Sequence, residues 1–415
     1  MRPWFPALVA LTALASGCGL FQPPVPVPFP VTVVSLPGGL NATPVFNSDR
    51  PETVSSGGVL LDSEGLGYRL DGHFGLFSHH VGHMPVGDPG PLHLALLATN
   101  HGTEPLTLER LSGASWTTRP DAPYLDLDTL LADPTGSIYA GPGDRVAVDW
   151  LHGKATAAGR WTIAPGATVV VSRTAMPVSV RGTAAANGRS TMAEFDASGE
   201  LSLAEVAAFG NPSDDAFRNL LAAGTPAGPT DVVATRIDPK PVGALRYGRV
   251  CGISEGDVWT GQLETLPDVG QCIGYPIASL YANRMGTGQI QSARILARTE
   301  GSAFQAHGNY GVTYELGMHL PGPGTYALTF ASPLKAADEA PPRIYFQKGP
   351  QVTFRGPLRL TIDGVTHHYH QVLHTGELPQ PFETLDVPDG GTDAALTLVY
   401  PGDCTPPQLL MIARI

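Results

Sequence analysis

The chain has 415 residues, 42 % of them hydrophobic, and a formal charge of −12. That apolar content excludes wholesale disorder, and the acidic balance excludes a nucleic-acid partner, which needs a basic face. Glycine (49) and proline (40) fill about a fifth of the chain without a period, which excludes collagen and points to a loop-rich, all-β protein.

The first eighteen residues read as a bacterial lipoprotein leader. Arg2 supplies the positive charge, and Trp4 to Leu14 form an apolar run too short to span a hydrocarbon layer of roughly 30 Å. Ala15, Ser16 and Gly17 are the small residues a signal peptidase needs, so residues 1–17 are expected to be removed and Cys18 to carry diacylglycerol. The net charge offers no polybasic attraction to lipid heads, so the acyl chains must hold the protein to the membrane. Gly19 supplies no aspartate-type retention signal, which favours the outer membrane. Alternating prolines from Pro23 to Pro30 predict a polyproline II tether within residues 18–39.

Residues 40–210 are expected to form a first β-sandwich domain, with strands at Leu92 to Ala98, Leu106 to Leu111, Thr168 to Arg173 and Leu201 to Phe209. The first two flank Thr99 to Pro105 and suggest an antiparallel hairpin. Three tryptophans (Trp116, Trp150 and Trp161) fall close together with Tyr124 and Tyr139, amid Arg119, Asp121, Asp126, Asp144 and Arg145. Aromatic faces beside carboxylates and guanidiniums suit a glycan-binding surface, so Trp116, Tyr124, Tyr139 and Trp150 are the candidate ligand-binding residues; the competing role is core packing.

The middle segment, 211–300, opens on one short helix. Ser213 is a good N-cap, Asp214 and Asp215 favour the first turn, Phe217, Leu220 and Leu221 form a stripe, and Gly224 stops it. The rest looks strand-rich, at Leu245 to Ile253, Val258 to Leu266 and Gln289 to Ala297. Cys251 and Cys272, twenty-one residues apart, are a plausible disulfide outside the cytoplasm, with two free thiols as the alternative; Cys404 is left over. Gly252-Ile253-Ser254-Glu255-Gly256 matches a hydrolase nucleophile elbow, but the alternation after it reads as a strand, where the elbow needs a helix, so a hairpin turn is expected.

Residues 301–415 are expected to form a second β-sandwich domain, with Val312 to Leu320 and Thr325 to Ala331 as a hairpin. Histidines cluster early (His73, His79, His80, His83) and late (His367, His368, His370, His374). If the clusters met they would suit copper or zinc, in a protein resembling superoxide dismutase. No ligand triad shows at the usual spacing, and Gly286-Thr287-Gly288 is not a nucleotide loop, so no cofactor is expected.

Stretches spread over nearly the whole mature chain resemble a bacterial family known as domain of unknown function 3370. They are Pro44 to Ser48, Pro120 to Tyr124, Tyr139 to Val146, Gly286 to Ala293, His307 to Val312, Phe354 to Gly356 and Thr405 to Gln408. The resemblance implies an exported envelope protein of bacteria with an outer membrane. The family has no established activity, so it assigns no catalytic residue. Its members have alanine where this chain has Cys404, which argues against a general role for that thiol.

The expectation is therefore a lipid-anchored, all-β envelope protein with a structural or binding role, its partner a wall glycan such as peptidoglycan or a surface-layer protein. Replacing Cys18→Ser is expected to leave the precursor uncleaved or release the body from membranes. Detergent-phase partitioning of a mature-sized variant would overturn the lipid assignment.

Overall fold

The computed structural model describes residues 30–83, 90–156, 159–178, 187–228, 249–335 and 343–415. The leader, Cys18 and the proline run up to Phe29 lie outside them. The protein is all-β: twenty-six strands and two helices are described, and among the described residues no helix is long and apolar enough to cross a membrane.

The strand Asn187–Phe209 organises the first half. At about 3.3 Å per residue it is too long for one flat layer, and its register shifts between Ala197 and Leu201, across Ser198, Gly199 and Glu200. Before the shift it pairs with Leu70–Gly82 and Leu106–Thr117; after it, with Gly58–Asp62 and Leu92–Asn100. Phe74, Leu76 and Phe195 from the first part share one buried cluster with Leu96, Ala98 and Leu203 from the second.

The segments expected as a first hairpin are strands Leu92–Asn100 and Leu106–Thr117, but they do not pair with each other. Each pairs with a different part of the long strand. The connector is a corner rather than a tight turn because buried Asn100 organises it: Nδ2 donates to the carbonyls of Glu104 (2.7 Å) and Ile163 (2.9 Å), and Oδ1 accepts from Gly102 N–H.

A seven-stranded and a five-stranded sheet build the second half. Tyr314, Leu316, Leu358, Leu360, Leu396 and Leu398 of the former share a core with Tyr275, Tyr326, Leu328, Phe330, Leu410 and Ile412 of the latter. The expected second hairpin is also split: Thr313–Leu320 lies in the seven-stranded sheet and Gly324–Ala331 in the five-stranded one. Tyr314, Leu316, Met318 and Leu320 of the first and Tyr326, Leu328 and Phe330 of the second belong to one buried cluster.

The sheets do not follow the chain in the order 40–210, 211–300 and 301–415. Cys251–Glu255 and Ala293–Arg298 join the first sheet, whereas Val258–Leu263 and Gln271–Ile277 join the second pair. Leu130–Ala132 crosses over to pair with Val365–His374. Two helices complete the fold. Helix α2, Asp214–Ala223, has the expected cap, with Ser213 Oγ accepting from Ala216 N–H at 3.2 Å and Gly224 left-handed at φ 63°. Helix α1, Pro142–Leu151, falls where only loops were expected; proline at its first position and Asp144 in its first turn are the signals that mark it.

Cys251 and Cys272 do not form the expected disulfide. They lie in different sheets and separate buried clusters, and both are free thiols, as is Cys404. Burial pushes the Cys251 thiol up to about 11 and the Cys272 thiol up to about 12, which makes both inert packing groups.

A buried ion pair locks the first sheet. His80 Nδ1 donates to the Pro51 carbonyl (2.7 Å), and Nε2 lies 3.2 Å from Glu205 Oε2 and 3.0 Å from Ser48 Oγ. Burial alone lowers the imidazole pKa, but the charge and hydrogen bond of Glu205 and the Pro51 carbonyl outweigh it and hold it raised. Ser48 is sealed from solvent and shares its nitrogen with the carboxylate, so the group is a lock rather than a nucleophile. Glu205→Gln is expected to cost about 3 kcal/mol. The raised pKa makes this contribution complete below the ordinary imidazole value of 6.5 and lost as pH rises through the folded value. Urea unfolding from pH 5.5 to pH 8.5 should therefore show the gap to wild type narrowing upward; a gap that widens would refute the lock.

Candidate functional site

Directly opposite residues of antiparallel strands share a face, and this aligns three rows on one face of the first sheet. The rows are Trp116–Ser190–His79, Ala114–Met192–Phe77 and Ser112–Glu194–Gly75. The middle row is apolar, and α1 lies on it: Val146, Ala147 and Leu151 pack with Phe77, Ala114 and Met192, and with Val399 of the second half.

Two residues of the first turn of α1 fix its seat. Asp144 Oδ2 accepts from Ala140 N–H (2.6 Å) and lies 2.8 Å from His370 Nε2, with both side chains buried. Gly143 abuts Gly402, where a Cβ would come within 2.8 Å of the Gly402 carbonyl oxygen. Helix and turn can approach this closely because Gly143 carries no Cβ.

Tyr124 is held above the N-terminus of this helix. Its ring rests on Gly141, which has φ 104° and where a Cβ would lie 2.4 Å from a ring carbon. Its hydroxyl donates to Asp403 Oδ2 at 2.5 Å, and the Arg355 guanidinium sits 5.2 Å from the ring centre. Asp403 is itself left-handed at φ 66°, with Oδ1 3.5 Å from His79 Nε2. Burial of the hydroxyl and the charge of Asp403 hold the phenol well above its usual range, so it stays a proton donor. Tyr124 as a residue is nonetheless 47 % exposed.

Beside it stands a second stack. Arg145 places its guanidinium 3.3 Å from the Trp116 ring centre and 4.6 Å from that of Tyr139, and Nη1 donates to the Asp121 carbonyl (2.6 Å). Trp116 Nε1 donates to Asp149 Oδ2 at 2.7 Å. The site is thus an exposed ring between a cation and a carboxylate, backed by a cation–aromatic stack. It can cover the apolar face of a ligand and meet hydroxyl groups at its edge.

The family model described as "Protein of unknown function (DUF3370)" matches residues 31–414. The chain belongs to this family. No curated protein matches it. Among solved structures the chain is similar to the crystal structure of PBSX exported protein XepA, at 10 % identity over 86 % of this chain and 87 % of that one; the TM-score of 0.15 carries no argument about fold.

Several of the stretches that resemble the DUF3370 family meet at this site. Residues 120–124 and 139–146 meet through Tyr124 on Gly141 and Arg145 on Asp121; 354–356 brings Arg355. Tyr310 donates to the Cys404 carbonyl at 2.7 Å, and Asn309 ties 307–312 to Gln291 and Ala293.

Of the four expected aromatics, Tyr124 is exposed, Trp116 and Tyr139 are half-buried around Arg145, and Trp150 is half-buried against the α1 core. The joining of Asp403, Arg355 and His79 with Tyr124 escaped the sequence reading, because nothing local to the Pro-Gly-Asp turn reveals a tyrosine 279 residues away. Ser254 is buried in a strand and followed by the turn Gly256–Asp257 into a strand of another sheet, so it forms neither a nucleophile elbow nor the expected hairpin.

The two histidine clusters do not converge among the described residues. His79 and His80 are engaged as above, His370 is held by Asp144 and His374 by Glu377 (2.9 Å). His368 stacks on His152 with ring centres 4.0 Å apart. Burial, with His368 beside it, pushes His152 down to about 4.

Gly143→Ala is expected to lower stability by about 1–3 kcal/mol, the usual cost of overpacking. Gly199→Ala, whose Cβ meets nothing within 4 Å, should leave it nearly unchanged in the same thermal melts. Equal melting temperatures for the two variants would refute the close seating of α1.

Proposed function

We propose that this protein is a lipid-anchored envelope protein that binds neutral wall glycan on the surface around Tyr124, without catalysis. One observation carries the reading: the ring of the exposed residue Tyr124 is fixed by Gly141 beneath, Asp403 at its hydroxyl and Arg355 at 5.2 Å from its centre. A ring already held in place loses little freedom when a sugar stacks on it, so its contact area converts efficiently into affinity. Arg355 lies over the ring and Asp403 at its hydroxyl, so sugar hydroxyls at the exposed edge would meet a donor and an acceptor. The charge of −12 repels anionic polymers, which favours a neutral partner.

Co-sedimentation with purified peptidoglycan sacculi tests this. Tyr124→Ala is expected to weaken retention roughly tenfold, about 1.4 kcal/mol, while the melting temperature falls by only a few degrees because Tyr124 is an exposed residue outside the buried cores. Wild-type protein that stays in the supernatant would remove the glycan reading and leave a surface-layer protein as the partner. Unchanged retention of the variant would remove Tyr124 from the site.

A further inference from the structure

The third row of the same sheet face, beyond the footprint of α1, carries groups of a different chemistry. Glu194 lies opposite Gly75, and His73 projects on the same face two residues before Gly75. Asp257 arrives from the turn that leads into the second half. One ligand atom from each of His73, Glu194 and Asp257 falls within 4.8 Å of the others. We propose that these three residues hold a divalent transition-metal ion of the zinc or manganese kind.

Three further features support a built site. Each carboxylate is oriented by a neighbour: Asn41 Nδ2 donates to Asp257 Oδ1 at 2.6 Å, and Ser112 Oγ donates to Glu194 Oε2 at 3.1 Å. Asn41 also accepts from the Asp257 N–H at 2.9 Å, so it grips the whole turn. Such outer partners are what fix metal ligands in place. Second, Gly75 places no side chain against the group; a Cβ there would touch Asp257 Oδ2 at an ordinary 3.6 Å and press on Val45 Cγ2 at 3.3 Å. Third, the ligands come from three separate segments, with the Asp257 carbonyl accepting from Thr313 N–H at 2.8 Å. An ion here ties the long sheet to the turn that anchors the second half.

One imidazole nitrogen and two carboxylate oxygens suit zinc or manganese rather than calcium, which takes oxygen alone, or copper(I), which seeks sulfur. Three protein ligands leave positions open toward the adjoining cleft, lined by Glu194, Asp257, Phe77, Trp150 and Met192. Of the histidines that the sequence singled out, His73 alone belongs to this group, and the site is separate from the Tyr124 surface.

Isothermal titration of chelator-stripped, full-length protein with zinc, and separately manganese, tests the proposal. One equivalent of at least one ion is expected to bind and to raise the melting temperature. Glu194→Gln and Asp257→Asn should each abolish that equivalent while keeping the metal-free melting temperature, since each removes one of two neighbouring carboxylates. Asn41→Ala should weaken binding roughly 10–100-fold. Wild-type protein that binds neither ion, or a Glu194→Gln/Asp257→Asn double variant that keeps the full equivalent, would overturn the proposal. Sacculus binding by Tyr124 is read separately, so either result can fail alone.

Discussion

The buried contact between Asp144 and His370 is the constraint on which the rest of the site depends. Both side chains are removed from water and lie 2.8 Å apart. In such surroundings a carboxylate without a partner is costly, so the contact fixes where the first turn of α1 can sit. Through that turn it sets Gly141 beneath Tyr124 and Gly143 against the Asp403 turn. It also joins two halves of different strand order, because α1 packs on Phe77, Ala114 and Met192 on one side and Val399 on the other.

The same face of the first sheet serves three purposes in successive rows. His79 and Trp116 reach toward Asp403 and Arg145, Phe77 and Met192 form the seat of α1, and Glu194 lies where the face opens to the cleft. A pleated sheet makes this possible, since alternate residues along each strand stay on one side while the chemistry changes every 7 Å or so. The opposite side is apolar at Phe74, Leu76, Ala193 and Phe195, and buried polar groups there, such as His80 and Glu205, are paired with each other.

Tyr124 and the His73–Glu194–Asp257 group occupy opposite sides of the α1 footprint, and both involve residues far apart in the chain. Rigid placement is common to them. The ring is braced by a glycine and a hydrogen bond, and the carboxylates by Asn41 and Ser112. This arrangement favours recognition, because preorganised groups lose little entropy when a ligand arrives.

Local signals were enough for the parts whose physics is local. Glycine and proline punctuation with short apolar runs gave the all-β class. Ser213 and Gly224 gave α2, because a cap and a left-handed stop act within a single turn. Family membership was legible in short stretches between Pro44 and Gln408. Strand partners were not legible: Leu92–Asn100 and Leu106–Thr117 are neighbours in sequence, yet each pairs with a different part of Asn187–Phe209. Short apolar runs can be buried equally well against many partners, and only the shared cores choose among them. Cys251 and Cys272 illustrate the same limit, since their spacing suggested a bond that their separate sheets do not make. The residue types of the site were visible, in Tyr124 and its surrounding charges. Their assembly with Asp403, Arg355 and His79, and that of His73 with Glu194 and Asp257, was decided only by the tertiary structure, because contacts across 100 or more residues leave no local pattern in the chain.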